Sequence, residues 1–131
     1  MADMAPQGLV VWLLDSQRCA LPVNVVERVL PALEVTPSPD APPAVLGSVV
    51  LQGRRVGVLD IRRCLGQPQR EPQLGDSLVL AHGSKSPLAF FADSVEGVVQ
   101  PSGADGLLLI DDLSAFLSDA EQQSLAAACG G

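Results

Sequence analysis

Apolar residues come in short runs along this chain, and the runs are separated by polar stretches rich in Gly, Pro, Asp and Ser. The first run, "LVVWLL" at Leu9–Leu14, is β-branched and aromatic. Polar Asp15-Ser16-Gln17-Arg18 follows, then a second run from Cys19 to Val23. Two buried strands joined by a turn fit this pattern. In "VNVVERVL", Val23, Val26, Val29 and Leu30 fall at helical spacing, which predicts a short amphipathic helix ending at Pro31. Five prolines lie between Pro31 and Pro43. They remove ladder donors and fix backbone torsions, so an extended, ordered connection is expected, with Leu33 and Val35 lying on something.

A second hairpin follows: Val45–Leu51, a turn at Gln52-Gly53, and Arg55–Leu59. Asp60 is placed to cap a short helix, "IRRCL", which Gly66 stops. The polar segment Gln67–Asp76 is the clearest internal boundary. Beyond it, strands are predicted at Ser77–Ala81, Leu88–Ala92, Val95–Val99 and Leu107–Ile110. The alanine-rich tail from Ser118 to Cys129 reads as a helix, with Ser118 and Glu121 forming a capping box. Short strands at regular intervals with few helices predict a mainly β fold of small barrels or a sandwich. The polar break suggests two halves.

At 131 residues the chain fits one domain, long enough to bury roughly two-thirds of its unfolded surface without a metal or disulfide staple. Apolar residues make up 47% and aromatics 3%, so aliphatic side chains must build the core and few rings remain for stacking on single-stranded nucleic acid. The net charge of −7 repels a phosphate backbone. Neither nucleic acid nor membrane insertion is expected. Apolar runs reach only about six residues, against the roughly 20 that a membrane-crossing helix needs. Three widely spaced cysteines, with no CxxC and one histidine, argue against zinc and for a reducing compartment. The N-terminus lacks the pattern of a secretory signal, and a soluble, cytoplasmic protein is expected.

No catalytic constellation emerges. His82 lies at a strand end with no GxSxG elbow in the chain. Adjacent Asp111 and Asp112 would point to opposite faces of a strand, which suits capping better than acid–base work. "GSKS" at 83–86 lacks the upstream glycine of a phosphate loop. Cys19 and Cys64 sit in apolar runs as small hydrophobes, whereas Cys129, near the end, reads as an exposed thiol. The pairs Arg54-Arg55 and Arg62-Arg63 leave three readings open: solvated charge, a protein contact, or a small anion site.

Taken in order, "LVVWLLDSQRCALPVNVVERVLP", "APPAVLGSVVLQGRRVGVLDIRRCLG" and "SLVLAHGSKSPLAFFADSVEGVV" resemble the CheW-like domain. The family pattern around the second hairpin is a glycine, then Asn-Leu-Arg-Gly, then an apolar strand ending Val-Asp-Leu-Arg. Gly47, Leu51, Gly53, Asp60, Ile61 and Arg62 match it, and Asp93-Ser94-Val95 is also similar. The resemblance implies two small SH3-like β-barrel subdomains, at about 9–66 and 76–112, with a C-terminal helix at about 118–129. It implies a non-enzymatic adaptor without cofactor, catalytic residue or metal ligand. The partners implied are the regulatory domain of a CheA-type histidine kinase and the cytoplasmic tip of a chemoreceptor.

Two polar positions depart from the family pattern. Gln52 stands where the family has arginine, and Arg28 stands where a glutamate is common. The partner-binding residues expected are Arg28, Val50, Leu51, Gln52, Gly53 and Arg54. The family carries about twenty more residues between Val99 and Leu107, so the second barrel is expected to be abbreviated and to expose strand edges, which either the C-terminal helix Ser118–Cys129 covers or a second copy pairs with. A specialised homologue that serves a non-motility kinase array, or that self-assembles without a receptor, is the alternative within the binding class. A small ligand-binding barrel or hydrolase is the alternative outside it, which turnover lost in His82→Ala would reveal.

Overall fold

The computed structural model describes residues 8–37, 41–68, 73, 75–83, 85–100, 106–110 and 112–123. Among the described residues, ten strands and the short helix α1, which precedes the C-terminal helix, follow the order β1 (Leu9–Leu14), β2 (Gln17–Pro22), β3 (Val26–Pro31), β4 (Thr36–Pro37), β5 (Val45–Leu51), β6 (Arg54–Leu59), α1 (Ile61–Cys64), β7 (Ser77–Ala81), β8 (Leu88–Ala92), β9 (Ser94–Val99) and β10 (Leu108–Leu109). They form a four-stranded sheet, β10-β2-β1-β9, and a six-stranded sheet, β3-β7-β8-β6-β5-β4. The fold is mainly β, as expected. Each sheet takes strands from both sides of the polar segment 67–76.

Side-chain alternation explains why Leu78–Ala81 of β7 and all of β8 are apolar. On β7, Val79 and Ala81 join the larger core with Trp12, Leu14, Cys19 and Leu21 of the four-stranded sheet. Their neighbours Leu78 and Leu80 enter a second cluster with Val49, Val56, Val58, Ala89 and Phe91. A strand buried on both faces needs apolar residues at every position, whereas a half-exposed strand alternates. Trp12 and Phe90 meet at 4.5 Å between ring centroids, tilted by 49°, and join the two sheets at the centre of the larger core.

Most local expectations hold. The β5–β6 hairpin turns at Gln52 (φ 51°) and Gly53 (φ 80°). Positive φ at both positions is the geometry that matches the twist of a two-residue hairpin. The Asp60 carboxylate accepts from the Arg63 amide at 3.2 Å and caps α1. Ser118 and Glu121 form the expected reciprocal box at 2.9 and 3.1 Å. The helix is described over 119–123, and its expected continuation to Cys129 lies outside the described residues.

The helix expected over Val23–Leu30 does not form. A single 3-10 turn, Val23–Val25, leads directly into β3, which pairs antiparallel with β7. The apolar positions of so short a window fit either period, and valine-rich segments favour the strand once an apolar strand offers them a ladder. The register slips between Val26 and Arg28. This bulge lets Val26 pack on the larger core while Leu30 packs on the second cluster. In the proline-rich connection, Val35 packs on the second cluster, Leu33 is exposed, and Thr36–Pro37 pairs with β5.

That last pairing constrains Gly47. Its φ is 155°, and a Cβ there would collide with the Thr36 carbonyl oxygen and crowd the Pro37 Cα. Both obstacles are backbone, so relief requires the β4–β5 pair to separate. Gly47→Ala is expected to destabilise the fold by about 1–3 kcal/mol. Thermal unfolding followed by circular dichroism should show a midpoint several degrees lower; an unchanged midpoint would contradict the close approach.

Candidate partner-binding site

The two arginine pairs turn out to differ. Arg62 lies on α1 but is buried, and its guanidinium donates to Asp15 Oδ2 at 2.8 Å and to Asp93 Oδ1 at 2.5 Å. Asp93 Oδ2 in turn accepts from the Asp15 amide at 2.6 Å, which holds the β1–β2 turn with Asp15 at φ 52°. Burial alone would lower the Arg62 pKa, but hydrogen bonds and charge from Asp93 and Asp15 outweigh it and raise the pKa above its ordinary value. Arg62 is therefore a structural cation. Its carboxylates are its own chain's, which removes it from the candidate anion binders. A groove of about 300 Å³ beside it is lined by Leu46, Asp60, Asp76, Phe91 and Asp93 among others.

Arg54 and Arg55 are exposed on β6. Their register with β5, Leu51↔Arg54 and Val50↔Arg55, sends them to opposite faces. Leu51 packs on the second cluster and Arg54 shares its face, whereas Val50, 60% exposed, faces outward with Arg55. Leu51, Gln52 and Arg54 line a groove of about 250 Å³ together with Glu27, Arg28, Val56 and Leu80. Val56 and Leu80 belong to the second cluster. The groove is thus the open mouth of the curled six-stranded sheet, with an apolar floor and a polar rim.

Of the six residues singled out from the sequence, four converge here: Arg28, Leu51, Gln52 and Arg54. Val50 stands on the opposite face, and Gly53 shapes the turn; a Cβ at Gly53 would meet nothing within 4 Å. Glu27, Val56 and Leu80 were not anticipated. Reading Glu27 as helical hid it. Leu80 enters because it sits opposite Arg28 in the β3–β7 register.

His82 follows β7 with its side chain largely exposed, and its Nδ1 lies 3.6 Å from Glu27 Oε2. Asp112 caps a 3-10 turn at Leu113–Phe116, accepting from the Ser114 amide at 2.9 Å. Asp111 and Cys129 lie outside the described residues. Burial pushes the Cys19 thiol up to about 11. Burial, and then the Asp60 charge, push Cys64 up to about 11. Among the described residues, no group of three or more His, Cys, Asp or Glu could hold a metal ion. No described helix is long and apolar enough to cross a membrane.

The mouth thus has an apolar floor rimmed by arginines and an amide. The chain belongs to the CheW-like domain family, which it matches over residues 8–118. Members of that family are non-enzymatic adaptors of chemotaxis-type signalling. Among solved structures the chain is similar to the scaffolding protein TtCheW from Thermoanaerobacter tengcongensis. Identity is 21% and the TM-score 0.67, over 72% of this chain and 65% of that one, so the likeness is one of fold and spans just under two-thirds of that protein. No curated protein matches the chain.

Two outcomes check these assignments. Arg62→Ala strands two carboxylates in one another's company and should cost about 3 kcal/mol or more. Arg62→Lys, a point charge without the guanidinium fork, should fall between it and the parent in urea unfolding. Equal stability of all three proteins would contradict the structural role. Thiols with a pKa of about 11 are almost fully protonated at pH 8. Cys19 and Cys64 should therefore resist iodoacetamide in the folded protein and react once it is unfolded. Because folding raises both pKa values from 9.0, this contribution to stability is complete below about pH 9 and is lost as pH rises through about 11.

Proposed function

We propose that this chain is a cytoplasmic coupling adaptor that joins a chemoreceptor's cytoplasmic tip to a CheA-type histidine kinase by binding alone. The groove formed by Arg28, Leu51, Gln52 and Arg54 is its kinase-facing surface, with Val50 on the outer face of the same hairpin tip. The observation that carries this reading is convergence: residues 24 or more positions apart in the chain, Arg28 against Gln52 and Arg54, line one groove. The hairpin tip is also well made for recognition. Gln52 holds a positive φ that non-glycine residues rarely adopt, and such positions are kept where the surroundings enforce them, often at binding sites. The receptor's helical tip docks on a separate apolar surface of the sheets.

A second reading, association of two copies, draws on β9. Among the described residues β9 pairs only with β1, and Val98 on it is 60% exposed. Against free edge pairing stand the irregular register at Val11/Trp12 and the Glu96 carboxylate, held by Arg18 at 2.9 Å. Bulges and charges are the usual means by which edge strands avoid pairing.

Titration calorimetry with the purified kinase regulatory domain and receptor tip from the same cell tests the coupling role. Binding to both is expected, with Arg54→Ala, in the groove, weakening the kinase contact about tenfold. Absence of binding to either partner would overturn the reading. Light scattering at high concentration separates the second reading, which requires a dimer.

A further inference from the structure

We infer that the groove at the mouth of the six-stranded sheet selects a partner surface bearing a carboxylate beside an apolar side chain; this rests on the adaptor reading and names the chemistry of the kinase-facing contact. The rim carries two guanidiniums, Arg28 and Arg54, and one acid, Glu27. Among the described residues no carboxylate lies within salt-bridge distance of Arg28, Arg54 or Arg55. Glu27 has its nearest cationic neighbour in His82, at 3.6 Å. Two positive charges against one negative leave the rim positive by one on a chain whose net charge is −7.

Elsewhere the described arginines that matter to the fold have their own acids: Arg62 with Asp15 and Asp93, and Arg18 with Glu96. Arg28, Arg54, Arg55 and Arg63 have no such acid among the described residues, and of these Arg28 and Arg54 flank a floor made by Leu51, Val56 and Leu80. An arginine at the edge of an apolar surface holds a carboxylate through a fork of two hydrogen bonds, and the exclusion of water by the apolar contact strengthens them. Gln52 between the two arginines adds a neutral donor and acceptor without changing the charge. An acidic partner segment with a neighbouring aliphatic residue satisfies floor and rim together. A basic segment would meet two like charges, which costs specificity energy rather than supplying it.

The test is calorimetric titration of the full chain with the regulatory domain of the CheA-type kinase, at low and high salt. Arg28→Glu and Arg54→Glu should each weaken binding about tenfold or more, and added salt should weaken the parent. Lys85→Glu, an equal charge change outside the groove, should have no effect. Changing the matching acid of the kinase domain to lysine should restore binding to Arg28→Glu, with circular dichroism confirming that each variant is folded. If the parent binds and neither groove reversal weakens it, the groove reads no carboxylate, while the adaptor role survives. If Lys85→Glu weakens binding as much, the effect is one of overall charge and the inference fails. If the parent does not bind the kinase domain at all, the adaptor reading fails and this inference with it.

Discussion

One buried guanidinium holds the two sheets in their relation. Arg62 sits on α1, directly after the last strand of the β5–β6 hairpin, and reaches Asp15 in the β1–β2 turn and Asp93 at the corner between β8 and β9. That corner is where the chain leaves the six-stranded sheet for the four-stranded one. The Asp93 amide also donates to the Leu13 carbonyl at 2.8 Å, so the corner is tied to β1 through both backbone and side chain. A buried ion pair is weak as a source of net stability, because desolvation offsets much of the attraction. Its strength lies in geometry: a planar fork with two carboxylates permits few arrangements.

With that corner held, packing does the rest. Aliphatic residues of β7 and β8 serve two clusters at once, one shared with Trp12 and the four-stranded sheet, the other enclosed by the curl of the six-stranded sheet. The curl brings β3, one edge strand, close to the tip of the β5–β6 hairpin, and the groove of Arg28, Gln52 and Arg54 exists only because of that approach. The groove is thus a consequence of how the sheet closes on its apolar interior, and its polar rim is the set of side chains left at the mouth.

What could be seen in the sequence follows from the range of the interactions. The β5–β6 hairpin, the Asp60 cap and the Ser118–Glu121 box are written in neighbouring residues, and each appears where expected. The eight residues leading into and along β3 suggest a helix because so short a window cannot separate a period of 3.6 from a bulged period of 2. The strand is decided by β7, some fifty positions later in the chain, which offers a ladder from Ser77 to Ala81. Arg62 could not be told from Arg63 or Arg54 for the same reason: its acids lie 47 and 31 positions away. The resemblance in the second hairpin singles out its tip, but the meeting of Arg28 with that tip needs the β3–β7 register and the curl.

The central claim is that the mouth of the six-stranded sheet is the surface this adaptor presents to its kinase. Amide chemical-shift mapping tests it most directly, by following each backbone N–H of the labelled chain as unlabelled kinase regulatory domain is added. The account expects the largest changes at Glu27, Arg28 and Leu51–Arg54, with β9 and β10 nearly unmoved. Changes concentrated on β9 around Val98, with the hairpin tip silent, would contradict it.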